Sequence, residues 1–349
     1  MRPADAFTPM LARLARELPS GGFLYEPKWD GFRCVATISR GAVDLRSRHG
    51  RPFARYFPEI VAALAPLGDA VLDGEIVVAG AGGFDFAALL SRLHPATSRV
   101  ERLARETPAA LVAFDLLAVG AEELASHPLA ERRARAEALL DGARAPRVLT
   151  PATRDLAVAQ RWLDRFVGRG LDGVVAKRLD GAYEPGRRGW VKVKRERTAE
   201  CVVGGFRLYA DAPLVASLLL GLYDGAALVH VGVASSFPDR ARAALHDLLA
   251  PDAVPLAGHP WERGFNVGPS PVGRLRGSAG RWDPAAMAQD WTAVAPARVC
   301  EVAYDQLDAG RFRHPARFVR WRPDREPRSC TFDQLALAPP ELPAELLPR

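Results

Sequence analysis

The chain has 349 residues, 48% of them hydrophobic and 25% charged, a composition that fits a globular protein with room for two domains of ordinary size. No run of 18 apolar residues occurs, the N-terminal MRPADAFTPMLARLAREL holds no continuous apolar stretch, and Cys34, Cys201, Cys300 and Cys330 form no CxxC pair. A membrane span, an export signal, a zinc site and a disulfide framework are therefore not expected, and a reducing cytoplasm is the default. The net charge of +6 and pI near 9.4 suit a polyanionic partner, although an arginine- and alanine-rich composition accounts for part of that bias.

In chain order, FLYEP (23–27) reads as a strand, and RCVATIS (33–39) with VDLRSR (43–48) as a hairpin about Arg40-Gly41. AVLDGEIVV (70–78) and ALVAFDLLAV (110–119) read as buried strands. HPLAERRARAEALL (127–140) reads as a helix with an early proline, and DLAVAQRWLDRFVGRG (155–170) as another stopped by Gly170. LDGVVAKR (171–178) and WVKVK (190–194) are short strands again. From about Glu200 the pattern turns mostly β: ECVVGGFRLY, a hairpin about Asp224-Gly225, one helix over DRARAALHDLL, then RVCEVAYDQL and ARFVRWRPD. The expected fold class is α+β, with residues 1–197 as one domain and 198–349 as a five-stranded all-β barrel of OB-fold size ending in a proline-rich tail.

Of the 47 lysines and arginines only four are lysine: Lys28, Lys177, Lys192 and Lys194. A lysine amine loses its proton when its site demands it and then attacks an electrophile, whereas a guanidinium stays charged. A chain that writes arginine by default keeps lysine where the amine itself matters. All four sit in compact motifs, PKWDG, VVAKR and WVKVK, and none follows residue 194. In KxDGxR, Gly31 lets the backbone pass close to a ligand, and Arg33 reaches for a hydroxyl or phosphate.

Seven such motifs in order resemble the covalent nucleotidyltransferase superfamily, and within it the ATP-dependent DNA ligases. They are Lys28-Trp29-Asp30-Gly31-Phe32-Arg33, Ser47-Arg48, Asp73-Gly74-Glu75, Phe114-Asp115-Leu116-Leu117, Asp172-Gly173-Val174-Val175-Ala176-Lys177, Trp190-Val191-Lys192-Val193-Lys194 and Arg322-Pro323-Asp324-Arg325. The resemblance spans nearly the whole chain and is greatest to the small bacterial ligases often called ligase C. It implies a nucleotidyltransferase (adenylation) domain followed by an OB-fold, ATP as cofactor with Mg²⁺ or Mn²⁺, and nicked duplex DNA as partner. It also implies a role in repair, a monomer, and a place in the bacterial cytoplasm near the nucleoid.

The resemblance also implies roles for these residues. Lys28 is the nucleophile that takes AMP, and Lys192 and Lys194 contact the α-phosphate. Glu26 reads the adenine amino group and Phe114 stacks on the base. Arg33 binds ribose, Arg48 the 5′-phosphate of the nick, and Glu75 ribose or metal. Asp172 stands where the family has glutamate and is a second metal candidate. Lys177 binds phosphate or forms a salt bridge. Arg322 and Arg325, the latter replacing a usual lysine, orient the outer phosphates. Arg311, Arg313, Arg317 and Arg320 are candidates for DNA phosphates. An RNA ligase or an mRNA-capping guanylyltransferase carries related motifs and is the alternative.

Overall fold

The computed structural model describes residues 8–80, 83–165, 171–209, 212–262, 291–308 and 310–335. They fall into two compact units, the first ending at Arg195 and the second beginning at Glu196. The proline-rich tail and Gly170 lie outside the described residues.

The first unit contains β1 (Ala12–Ala15), β2 (Phe23–Trp29), β3 (Phe32–Ser39), β4 (Ala42–Ser47), β5 (Ala70–Gly80), β6 (Gly83–Phe84), β7 (Ala109–Val119), β8 (Glu122–Glu123), β9 (Arg147–Leu149), β10 (Leu171–Arg178) and β11 (Trp190–Val193). Its helices are α1 (Pro58–Leu64), α2 (Phe86–Ser91), α3 (Thr97–Glu106), α4 (Leu129–Leu139) and α5 (Leu156–Arg165). One sheet has the order β1-β11-β10-β2, and the other β4-β3-β5-β7-β8 with β6 on β5 and β9 on β7.

Alternation settles what the four-stranded sheet presents. Tyr25, Trp29, Val174, Ala176, Val191 and Val193 are buried in one core with Ala159, Trp162 and Leu163 of α5. Successive side chains of a strand point to opposite faces, so Glu26, Lys28, Val175, Lys177 and Lys192 share the other face. The register confirms it, pairing Glu26 with Val175 and Val175 with Lys192. Pro27 sits inside β2 without breaking the ladder because β2 is the outer strand of this sheet.

Two glycines make the close approaches possible. Gly173 sits in the irregularity between Leu171 and Val174, at φ +135°, where a Cβ would lie 2.1 Å from the Val193 carbonyl oxygen. A Cβ on Gly31 would lie 2.1 Å from the Ile76 carbonyl oxygen. The backbone that Gly31 lets past is therefore β5, where the sequence pointed to a ligand.

The second sheet closes its own core around Ile38, Leu45, Ile60, Leu72, Ile76 and Leu116. β1 had no strand signature in the sequence. It is held by its parallel pairing with β11, extended by the Trp190 amide donating to the Leu11 carbonyl at 3.2 Å.

The second unit contains β12 (Arg197–Tyr209), β13 (Ala212–Asp224), β14 (Ala227–Ala234), α6 (Asp239–Leu249), β15 (Thr292–Tyr304), β16 (Leu307–Asp308), β17 (Arg311–Phe312) and β18 (Arg317–Trp321). Its sheet runs β14-β13-β12-β15-β18, and an isolated bridge between Ala234 and Ala316 joins the two ends. Five strands so ordered, with the helix after the third, have the size and closure of an OB-fold. Leu245 and Leu249 of α6 pack into the core with Phe206, Leu218, Val231 and Val302.

Candidate active site

The polar face of the four-stranded sheet gathers three of the four lysines about one carboxylate. Lys28 Nζ lies 2.5 Å from Asp172 Oδ2, and Lys194 Nζ lies 2.8 Å from the same oxygen. Asp172 is 5% exposed, and two ammonium partners compensate its burial. The lysines stay partly exposed, 26% and 22% by side chain, so a ligand can still reach them. Lys192 lies on this face of β11, whereas Lys194 follows the last residue of the strand. Burial, and then the charges of Lys28 and Lys194, lower the Lys192 pKa. A site that penalises added positive charge is one prepared for an anion.

Glu75 lies within β5, directly opposite Arg33 of β3. Burial pushes its carboxyl up to about 7; Lys28 and Arg33 oppose that shift, while Asp30 and Asp73 add to it. Arg33 is held in place by Asp73 in this arrangement. Its Nε donates to Asp73 Oδ1 at 2.6 Å, and its Nη2 donates to Asp73 Oδ2 at 2.5 Å and to the Met10 carbonyl at 3.2 Å. Burial disfavours the guanidinium charge, and Asp73 more than offsets it. Tyr183 Oη donates to the same Asp73 oxygen at 2.6 Å and accepts from the Met10 amide at 2.8 Å. The sequence assigned no role to Asp73 or Tyr183. Asp73 lay inside a quoted motif, but Tyr183 carried no local signal.

Glu26, Lys177 and Phe114 form the adjoining cluster. Lys177 is 1% exposed. Its Nζ pairs with Glu26 Oε2 at 2.7 Å, a salt bridge, and donates to the Phe114 carbonyl at 2.8 Å. Burial raises the Glu26 pKa, and Lys177 and then Arg133 oppose the shift. Phe114 is the residue left over where the β5–β7 register slips between Asp73 and Gly74, a bulge that re-aims its ring. Lys177 Nζ and Arg33 Cζ each lie 4.6 Å from the ring centroid, and Trp190 meets it edge-on at 5.9 Å.

The remaining candidates are Arg48 and the arginines of the second unit. Arg48 follows β4 and is exposed. In the second unit, Arg322 and Arg325 converge on Glu200: Arg322 Nη1 donates to it, and Arg325 Nε lies 2.6 Å from Oε2. Arg322 also grips Asp324 through Nε at 2.9 Å and Nη2 at 2.7 Å. Arg317 pairs with Glu196 and Arg320 with Glu301, both at 2.7 Å, while Arg313 donates to Gln306 at 2.7 Å. Arg311 is half-buried.

Magnesium can be tested against the acids present. Among the described residues no group of three or more His, Cys, Asp or Glu is arranged around a metal position. Magnesium needs few protein ligands, since it keeps several waters and prefers carboxylate oxygen. Glu75 supplies a carboxylate whose negative charge is under-compensated, and both lysines on Asp172 use the one oxygen Oδ2. The donor chemistry fits a hydrated divalent cation.

No helix among the described residues is long and apolar enough to cross a membrane. Residues 4–194 match the family described as the ATP dependent DNA ligase domain, and residues 211–325 match the ATP dependent DNA ligase C terminal region. The chain is 48% identical to DNA ligase C2 of Mycolicibacterium smegmatis over 337 residues, covering 95% of each chain. It is 45% identical to DNA ligase C of Mycobacterium tuberculosis over 338 residues, covering 94% of this chain and 93% of that one. The fold is shared with a solved Lig E DNA ligase at TM-score 0.55 and 17% identity, covering 90% of this chain and 99% of that one. Seven ligase motifs in order, a lysine face built around Asp172, and full-length likeness to curated ligases lead to one conclusion: the chain belongs to the ATP-dependent DNA ligases, enzymes that use ATP to join DNA.

Proposed function

We propose that this ligase seals 3′-hydroxyl/5′-phosphate nicks in duplex DNA during repair, through AMP carried on Lys28. The observation that carries the reading is the convergence of Lys28 and Lys194 on Asp172, beside Lys192 and Glu75, on one open face. As a free base, Lys28 Nζ forms a bond to the α-phosphorus of ATP while the bond to the pyrophosphate oxygen breaks. Asp172 Oδ2, 2.5 Å from Nζ, is the nearest acceptor for the departing proton. Lys192 and Lys194 neutralise the charge that gathers on the α-phosphate oxygens. An oxygen of the nick's 5′-phosphate then attacks the same phosphorus, the N–P bond breaks, and the amine regains a proton. Finally the 3′-hydroxyl attacks the 5′-phosphorus and AMP leaves.

Glu26 and Phe114 hold the base, Arg48 holds the nick's 5′-phosphate, and Arg322 and Arg325 orient the outer phosphates of ATP. Arg33 serves the ribose through the position that Asp73 gives it. Glu75 and Asp172 would hold Mg²⁺, or Mn²⁺ in its place, and the ion when bound would offset phosphate charge. Residues 1–197 act as the adenylation domain and 198–349 as the OB-fold domain, in a monomer that works at the nucleoid.

The test is incubation with labelled ATP or GTP and Mg²⁺, denaturing electrophoresis, and peptide mapping, followed by nicked DNA and nicked RNA. Transfer of AMP to Lys28 and its loss on nicked DNA are expected. A guanylate adduct, sealing of nicked RNA alone, or an adduct mapped only elsewhere sinks the proposal.

A further inference from the structure

Glu26 and Arg133 face each other with unfinished hydrogen bonding. Glu26 is 2% exposed; Lys177 engages its Oε2, but among the described residues Oε1 has no hydrogen-bond partner. Arg133 Nη1 is buried 3.8 Å from Oε1 and has none either. At that separation the two do not bond each other. Leaving a buried acceptor and a buried donor unsatisfied side by side is costly, and such exceptions in a folded protein call for an explanation.

The surroundings hold both groups in place. Arg133 Nε donates to Glu137 at 2.8 Å, which fixes the guanidinium on α4. Its neighbour Arg132 is locked to Asp115, at 2.7 and 3.0 Å, which pins α4 to β7 next to Phe114. Lys177 touches Glu26, the Phe114 carbonyl and the Phe114 ring, so the unfinished pair lies beside that aromatic ring.

We infer that Arg133 reads the base. Glu26 Oε1 and Arg133 Nη1 form an acceptor–donor pair for the edge of a 6-aminopurine. The exocyclic amine donates to Glu26, and the ring nitrogen beside it accepts from Arg133. A 6-oxopurine in the same orientation sets its carbonyl oxygen against the carboxylate and is rejected by two facing acceptors. The inference rests on the ATP reading of this site and adds a residue that none of the seven motifs contains. Both ring nitrogens flanking the amine offer the same chemistry, and deaza analogues tell them apart.

The experiment measures single-turnover adenylation of the full chain against concentration of ATP, 1-deaza-ATP and 7-deaza-ATP. R133M keeps the apolar stem and removes the donor; its KM for ATP should rise roughly 10–100-fold, with the maximal rate changed far less. E137Q, which keeps an acceptor oxygen for Arg133 Nε and removes only the exposed negative charge, should leave the KM within about twofold. One of the two analogues should cost wild type as much as R133M costs ATP, and should cost R133M nothing further. R133K, with a shorter reach and one donor centre, should fall between; it carries the test if R133M melts below the assay temperature. An unchanged KM in R133M and R133K, an equal rise in E137Q, or analogue and variant losses that multiply would overturn the inference. A wild type that forms no adenylate on Lys28 would instead overturn the reading beneath it.

Discussion

Replacing Glu75 by glutamine should stabilise the folded chain at alkaline pH while disabling the site. Burial holds the Glu75 carboxyl up to about 7, against an ordinary 4.5. Below pH 4.5 the folded and unfolded chains both carry its proton, and the group is silent. Between 4.5 and 7 the folded chain keeps a proton that the unfolded chain has lost, so stability falls as pH rises. Above 7 the penalty is complete and constant. Its ceiling is ~3 kcal/mol, and the partial exposure of Glu75 keeps the real figure below that. Glutamine has a similar shape and never ionises. The melting temperature of Glu75→Gln minus that of wild type should therefore be near zero at about pH 4 and grow to at most roughly 10 °C at pH 8. Thermal melting across that range is the assay, with adenylation measured on the same samples. A difference that does not change with pH, or a wild type that is the more stable at pH 8, would refute the reasoning.

The same electrostatics predict that saturating magnesium at pH 8 raises the melting temperature of wild type but not of a Glu75→Gln/Asp172→Asn double variant; equal shifts in both would place the ion elsewhere. Lys28→Arg should melt like wild type yet form no AMP adduct, because a guanidinium does not lose its proton to attack. Lys192→Arg and Lys194→Arg should slow adenylation by roughly 10–10³-fold, about 1.4–4 kcal/mol, and rates within a factor of two would remove the compact ammonium from the argument. Lys177→Arg forces a larger fork into a slot that is 1% exposed and should lower stability by about 1–3 kcal/mol, read by denaturant unfolding. With roughly six phosphate contacts, DNA affinity should fall about 10³-fold between ~50 and ~200 mM salt, and a flat response would show that binding is not mainly electrostatic.

Much of this was legible without coordinates. The scarcity of lysine singled out Lys28, Lys177, Lys192 and Lys194, and the period of two along FLYEPKW and WVKV already separates Glu26, Lys28 and Lys192 from Tyr25, Trp29, Val191 and Val193. Those signals are local, so one strand carries them whatever it packs against. The pairing of strands is not local. Lys28 and Asp172 are 144 residues apart, and they meet because Gly173 lets β10 bulge against β11 while β2 borders β10. Arg33 looked like a hand for a ligand, but its Nε and Nη2 bond Asp73, an acid that Tyr183, 110 residues further on, also holds. β1 has no strand signature and forms only because β11 offers an edge. Phe114 reads as an ordinary core residue until the β5–β7 register slips beneath it. Arg133 looks like one more charge on a solvated helix until α4 docks against β7 and leaves its Nη1 facing Glu26. Side-chain chemistry and strand alternation travel with the residues themselves, whereas convergence depends on which distant segments the core brings into register, and no local pattern encodes that.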